Sequence, residues 1–158
     1  MLRIVPATEK DVPLILEFVR ELAAYEKLSH AVEADERRLR QTLFGPEPKA
    51  RVLLAYEADA AVAYAVYYFT YSTFVGLPGL YLEDVYVRSE FRKQGAGQAL
   101  MRYLAQLALA NNCRRIEWAV LHWNQNAIRF YRRLGALPME ECAVYRLQGE
   151  ALRHLAGD

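Results

Sequence analysis

Cysteine is scarce in this chain. Cys113 and Cys142 are its two thiols among 158 residues, and they offer neither metal-ligand spacing nor a disulfide framework. Both read as core fillers. An excess of one charge is also missing, since 20 Lys and Arg stand against 19 Asp and Glu for a net charge of +1. Such a balance provides no basic field for nucleic acid, so any phosphate site must be local. No apolar run approaches the roughly 18 residues of a membrane span, and Met1 to Pro6 enters a strand without the apolar stretch of a signal peptide. These absences point to a cytoplasmic protein with no membrane or nucleic-acid partner. Internal repeats, low-complexity segments and linkers are lacking too.

What is present is 54% apolar and 25% charged, the composition of one globular domain over 1–158 with enough chain to bury a core. Leu2 to Val5 reads as a strand closed by Pro6. Thr8 with Asp11 resembles a capping box, and Val12, Ile15, Leu16, Val19 and Leu22 form one helical stripe ending near Tyr25. Glu26 follows at the end of the helix, where a carboxylate opposes the dipole. A second helix is expected over roughly Glu33 to Leu43, ended by Gly45 and Pro46. Val52 to Glu57 and Ala61 to Thr70 read as a hairpin around Ala58-Asp59-Ala60. The second arm carries an aromatic ladder of Tyr64, Tyr67, Tyr68 and Tyr71.

The central stretch runs from Leu80 to Leu107. Leu80 to Val87 is a strand entered through Pro78 and Gly79. A polar turn from Arg88 to Arg92 leads to Arg92-Lys93-Gln94-Gly95-Ala96-Gly97, and a helix follows with Leu100, Leu104 and Leu107 on one face. Glycines at a helix start let a phosphate approach unpaired backbone N–H groups where the dipole is positive. This is not a P-loop, because no Lys-Ser or Lys-Thr follows Gly97. Nor is it a dinucleotide fingerprint, because Leu100 stands where a third glycine belongs and Glu117 lies inside the next strand run. Arg115 to Leu121 is expected as a strand. A helix capped by Asn124 then runs through Leu134 to stop at Gly135. Ala143 to Leu147 reads as a last strand, and the tail from Glu150 as a short or frayed helix. The order gives a mixed α/β (α+β) domain with a largely antiparallel central sheet flanked by helices.

The hexamer Arg92 to Gly97 fits the Arg/Gln-x-x-Gly-x-Gly/Ala turn at every fixed position, and the likeness extends over the whole chain. Ile4 to Thr8, Glu21 to Glu26, Tyr67 to Tyr71, Leu80 to Asp84, Trp123-Asn124 and Ile128 to Arg133 carry it. The chain resembles the GNAT N-acetyltransferase superfamily. Within it, Tyr25-Glu26, the Tyr-Phe-Thr-Tyr run and Leu82-Glu83-Asp84 are most similar to the spermidine/spermine (diamine) and thialysine acetyltransferases.

That resemblance implies acetyl-CoA as donor, no metal, and a homodimer for which Tyr67 to Phe74 offers an interface. The pyrophosphate would sit on the backbone N–H groups of Lys93, Gln94, Gly95, Ala96, Gly97 and Gln98, with Arg92 opening that cofactor-binding turn. The pantetheine arm would pair with main-chain atoms of Val85, Tyr86 and Val87, and meet Asn124, Gln125, Asn126 and Ala127 on its other side. Arg132 or Arg133 would reach the ribose phosphate, although the helix dipole alone also explains that pair.

An alkyl amine of pKa about 10.4 is only about one part in 10³ neutral at pH 7, so transfer needs a proton acceptor for the amine and a donor for the thiolate. By resemblance Tyr131 is the acid that protonates the CoA sulfur. Glu83, a carboxylate among apolar strand neighbours, is the group that steers and deprotonates the amine through water. Tyr25, Glu26, Glu83 and Asp84 form the amine site, with Asp84 on the opposite strand face by alternation. Neither cysteine has an adjacent histidine, so direct transfer in a ternary complex is expected. The acceptor is a small cationic amine, whether diamine, polyamine or lysine-like, whose second charge would find Glu33, Glu140 or Glu141. A protein, peptide or antibiotic amine is the rival acceptor, and a non-catalytic acyl-CoA-binding domain the rival class.

Overall fold

Five strands follow one another in sequence order across a single sheet in the computed structural model, which describes residues 1–158. They are β1 (Leu2–Pro6), β2 (Arg51–Glu57), β3 (Ala60–Ser72), β4 (Leu77–Val87) and β5 (Ile116–Glu117). The first three pairings are antiparallel, and β5 lies parallel to β4 through Leu80↔Ile116 and Tyr81↔Glu117. A parallel pair needs a crossover. Helix α3 (Ala96–Ala110) supplies it. The other helices are α1 (Val12–Tyr25), α2 (Glu36–Phe44), α4 (Gln125–Arg133) and α5 (Gly149–Leu155). This is the mixed, mostly antiparallel α/β fold expected from the sequence.

The chain parts into two compact units, Met1–Ala119 and Val120–Asp158. The first holds the sheet with α1 to α3. Its core is built from two helix stripes. Ile15 and Phe18 of α1 cluster with Val52, Leu54 and Tyr64, while Leu100 and Leu104 of α3, which packs on β3 and β4, are wholly buried. The middle of β2, Val52 to Ala55, is buried at every position, as expected of a strand covered on both faces. The second unit holds α4 and α5. Asn124 caps α4 by accepting from the Ala127 N–H at 3.3 Å, and Gly135 ends it at φ 92°.

Several boundaries differ from those expected. Helix α2 starts at Glu36 rather than Glu33, because Asp35 takes the cap and accepts from the Arg38 N–H at 2.7 Å. Strand β4 takes in Pro78 and Gly79 opposite Tyr71 and Thr70 rather than starting after them. The strand expected over Arg115 to Leu121 shrinks to Ile116–Glu117. Ala143 to Leu147 is no strand: Val144 and Tyr145 are each 95% exposed. Alternation marks a chain that suits a sheet, yet a ladder also needs a partner. Cys113 is buried as a core filler, whereas Cys142 is exposed.

Candidate active site

The ladder between β3 and β4 slips once. Val66 stands opposite Asp84 and Tyr67 opposite Leu82, which leaves Glu83 without a cross-strand partner. One extra residue on one strand is a β-bulge, and it resets the alternation of side chains. On β3, Tyr64, Val66 and Tyr68 share a face by period two. Their partners Tyr86, Asp84 and Tyr81 therefore share it too. Counted from Leu82, Glu83 lands on that same face. The expectation that Asp84 points away from Glu83 is thus corrected, because regular alternation does not survive the bulge.

Crowding of the two carboxylates shows in the acidity of Glu83. Burial raises the Glu83 carboxyl above the ordinary range, and the charge of Asp84 raises it further. Glu26, which caps the C-terminus of α1, is raised by the same two causes in the same order. Asp84 is raised by burial, while a hydrogen bond from the Tyr64 phenol, 2.7 Å long, pulls it back. Tyr64 itself is pushed far above the usual phenol range, chiefly by burial and then by Asp84, so its hydroxyl stays a donor. Tyr68 and Tyr81 stack at 5.2 Å, and both are raised first by burial and next by the charge of Glu83. The result is a partly desolvated acidic patch, floored by tyrosines, at the meeting of α1, β3 and β4.

Two arginines frame the patch. Arg88, at the end of β4, spans Glu17 at 2.6 Å and Glu21 at 3.1 Å on α1. It also donates to the Ala61 carbonyl at 2.8 Å and lies 4.6 Å above the Phe18 ring. Arg92 donates its Nε–H to the Val87 carbonyl at 2.8 Å and lies over the rings of Tyr25 and Tyr86. Neither Tyr64 nor Arg88 stood out in the sequence as a site residue. The signals were the first tyrosine of the β3 ladder, set between Ala63 and Ala65, and an arginine directly after the strand that carries Glu83.

Beyond Arg92 the backbone turns twice into the left-handed region, at Lys93 (φ 62°) and Gly95 (φ 92°). Gly95 is the N-cap of α3, and the first helical bond runs from Ala99 N–H to its carbonyl at 2.9 Å. Helix geometry therefore leaves the N–H groups of Ala96, Gly97 and Gln98 without helical acceptors. A Cβ built on Gly95 meets nothing within 4 Å, so the cradle is open on that side. Those features fit a pyrophosphate. Beside the turn, β5 pairs with β4 only at Leu80 and Tyr81, which leaves the Val85 to Val87 edge without a strand partner. One lone pair of the Val87 carbonyl is already taken by Arg92.

In the second unit, Asn124 serves as the α4 cap. Gln125 donates to the His122 carbonyl at 3.0 Å, and Asn126 accepts from Arg129 at 2.5 Å. Tyr131 sits on α4 beside Phe130, with ring centroids 5.5 Å apart. Arg132 and Arg133 lie in the last turn of the same helix. The structure thus brings Tyr25, Glu26, Glu83 and Asp84 together in one unit and gathers Asn124, Ala127 and Tyr131 on one helix of the other.

Residues 16–136 match the model of the Acetyltransferase (GNAT) family. The chain belongs to that family. GNAT enzymes use acetyl-CoA as co-substrate, and this acetyltransferase is an acetyl-CoA-dependent N-acetyltransferase. It is 41% identical over 162 residues to thialysine N-epsilon-acetyltransferase of Bos taurus, with 96% of this chain and 95% of that protein aligned. It is 30% identical to L-ornithine N5-acetyltransferase of Arabidopsis thaliana, over 96% of this chain and 86% of that protein. Among solved structures, an integron cassette protein from the mobile metagenome of V. cholerae superposes with a TM-score of 0.82 at 28% identity. That likeness covers 99% of this acetyltransferase and 98% of the cassette protein.

Proposed function

We propose that this acetyltransferase moves an acetyl group from acetyl-CoA directly to the primary amine of a small cationic molecule, with a short lysine-like amine or diamine favoured over a tetra-amine. The observation that carries this reading is the bulge at Glu83, which lines up two carboxylates on one face, with Asp84 in electrostatic reach of both Glu83 and Glu26. Crowded, partly desolvated carboxylates repel one another, and an alkylammonium ion relieves that repulsion. The thialysine and ornithine acetyltransferases, named for acting on amines at the ends of side chains, support the same acceptor class.

In this reading Tyr25, Glu26 and Asp84 hold the ammonium group. Glu83 takes its proton through a water, and its raised pKa makes it a better base than an ordinary carboxylate. The main-chain edge of Val85 to Val87 aligns the pantetheine arm, with the Val85 N–H polarising the thioester carbonyl. The turn from Lys93 to Gln98 takes the pyrophosphate, and Asn124 to Ala127 the other side of the arm. Tyr131 protonates the departing CoA sulfur. The family match spans both units, which supports one acetyltransferase domain over 1–158. We further propose a cytoplasmic homodimer.

Release of CoA from acetyl-CoA over a panel of thialysine, lysine, ornithine, putrescine, spermidine, spermine and short peptides tests the reading. Turnover should be greatest with the short cationic amines. Tyr131→Phe should lower kcat about 10²-fold, within the range for a general acid, and Glu83→Gln should lower kcat/KM for the amine. Turnover confined to peptides would replace the acceptor class, and full activity in Tyr131→Phe would remove Tyr131 as the acid. Acetyl retained on the protein with ping-pong kinetics would remove the direct transfer.

A further inference from the structure

The guanidinium of Arg92 sits where three parts of the site meet. Its Cζ lies 4.6 Å from the Tyr25 ring centroid and 5.4 Å from that of Tyr86, and those rings are 6.4 Å apart at a tilt of 54°. Its Nε–H is fixed by the Val87 carbonyl at 2.8 Å. Two rings and a carbonyl are its direct neighbours. Tyr25 is the last residue of α1, directly before Glu26. Tyr86 and Val87 belong to the strand edge beside the bulge. Lys93, the next residue, is the first left-handed step of the phosphate turn. A planar guanidinium stacked on a ring transmits orientation better than a flexible ammonium.

We propose that Arg92 is a positioning residue that couples the two substrate sites, so that CoA seated in the phosphate turn tightens amine binding at Tyr25 and Glu26. This rests on the functional reading above and adds a link between its sites. With the Arg92 guanidinium over the Tyr25 ring, ordering of the turn by a pyrophosphate also orders the end of α1. Coupling between two ligands is reciprocal, so the amine must tighten CoA by the same factor.

Calorimetry with CoA and thialysine measures that factor, since free CoA cannot react. In the wild type, each ligand should bind about tenfold more tightly in the presence of the other, within the usual range of coupling. Arg92→Lys keeps the charge but lacks the planar stack and the Nε donor, so the factor should fall toward one. The amine KM should then rise about tenfold, with a smaller fall in kcat. Tyr25→Leu should do the same, and the double variant should lose little more than either alone. Arg92→Gln, which keeps an N–H donor, provides a second route should the lysine variant fail to fold, and it too should lose the coupling.

Independent binding of the two ligands to the wild type would overturn the proposal, and turnover in the panel would then still support the acetyltransferase reading. Weaker CoA binding in Arg92→Lys with an unchanged coupling factor would overturn it too, by making Arg92 a direct phosphate ligand. Failure of every amine to turn over would take down both readings.

Discussion

The phenol of Tyr64 donates to the Asp84 carboxylate across 2.7 Å while Phe18 stacks on the same ring, 7° from parallel at 4.9 Å. One side chain thereby joins the hydrophobic core under α1 to the acidic patch above β4. The bond has a clear sense. Burial holds the phenol protonated, so Tyr64 donates and the Asp84 carboxylate accepts. A buried carboxylate is tolerated only where such a partner exists.

Tyr64→Phe keeps the ring stack and removes that partner. The variant should lose about 1–3 kcal/mol, the cost of leaving a buried acceptor unsatisfied, when measured by urea unfolding at pH 7. Because the bond lowers the Asp84 pKa, its loss raises that pKa further. The deficit should therefore shrink as pH falls and Asp84 takes up a proton. Equal stability of the two proteins at pH 7 would show that Asp84 finds another donor.

The raised carboxyls of Glu26, Glu83 and Asp84 set the sign of a pH effect. A carboxyl whose folded pKa exceeds its unfolded value adds stability below the unfolded value, near about pH 4, and loses it as pH rises through the folded value. Glu83→Gln has no charge to lose. Its stability relative to wild type should therefore grow as pH rises from about 4 through the raised folded value, by under about 1 kcal/mol because solvent screens this group. Putrescine at saturating concentration should narrow the gap by pairing the wild-type charges. A gap that instead widens toward low pH would show that Glu83 is stabilised as an anion.

Much of this arrangement was legible in the residues. The stripe from Val12 to Leu22, the strand from Leu80 to Val87 and the glycines at the start of α3 each announce themselves by a period or a turn residue, and each appears in the structure. The bulge did not. It arises from the register between β3 and β4, a property of two strands together, and nothing local to Glu83 signals it. Val144 and Tyr145 failed for a related reason. Their β-prone alternation describes what a chain can do, whereas pairing depends on a neighbour that local sequence does not specify. Arg88 was hidden because its partners Glu17 and Glu21 lie far away in sequence and one helical turn apart.

Arg88 makes its own prediction. Its side chain is 18% exposed, it bridges two glutamates, and it also bonds the Ala61 carbonyl. Arg88→Met keeps an unbranched apolar stem but deletes the charge, the guanidinium over Phe18 and every side-chain hydrogen bond. Unfolding should become easier by roughly 2 kcal/mol, since hydrogen bonds to charged groups exceed neutral ones while Glu17 and Glu21 regain water. The amine KM should rise as well, because α1 carries Tyr25 and Glu26 at its far end. High salt should weaken the wild type toward the variant. A stability difference indifferent to salt would mean that the guanidinium's place over Phe18 and its bond to the Ala61 carbonyl, not the ion pairs, hold α1 to β4.

Gly95 separates backbone from ligand effects. At φ 92° an alanine is strained by about 1–2 kcal/mol, yet its Cβ meets no protein atom within 4 Å. Gly95→Ala should therefore fold with a modest loss of stability, because nothing is displaced. The open space at that position is where the proposed reading lays the pyrophosphate, so the methyl should collide with the ligand instead. CoA should bind at least about tenfold more weakly, a loss equal to about 1.4 kcal/mol. Dephosphorylated pantetheine, which carries no pyrophosphate, should bind the variant and the wild type alike. A folded Gly95→Ala protein with wild-type affinity for CoA would move the pyrophosphate off this turn.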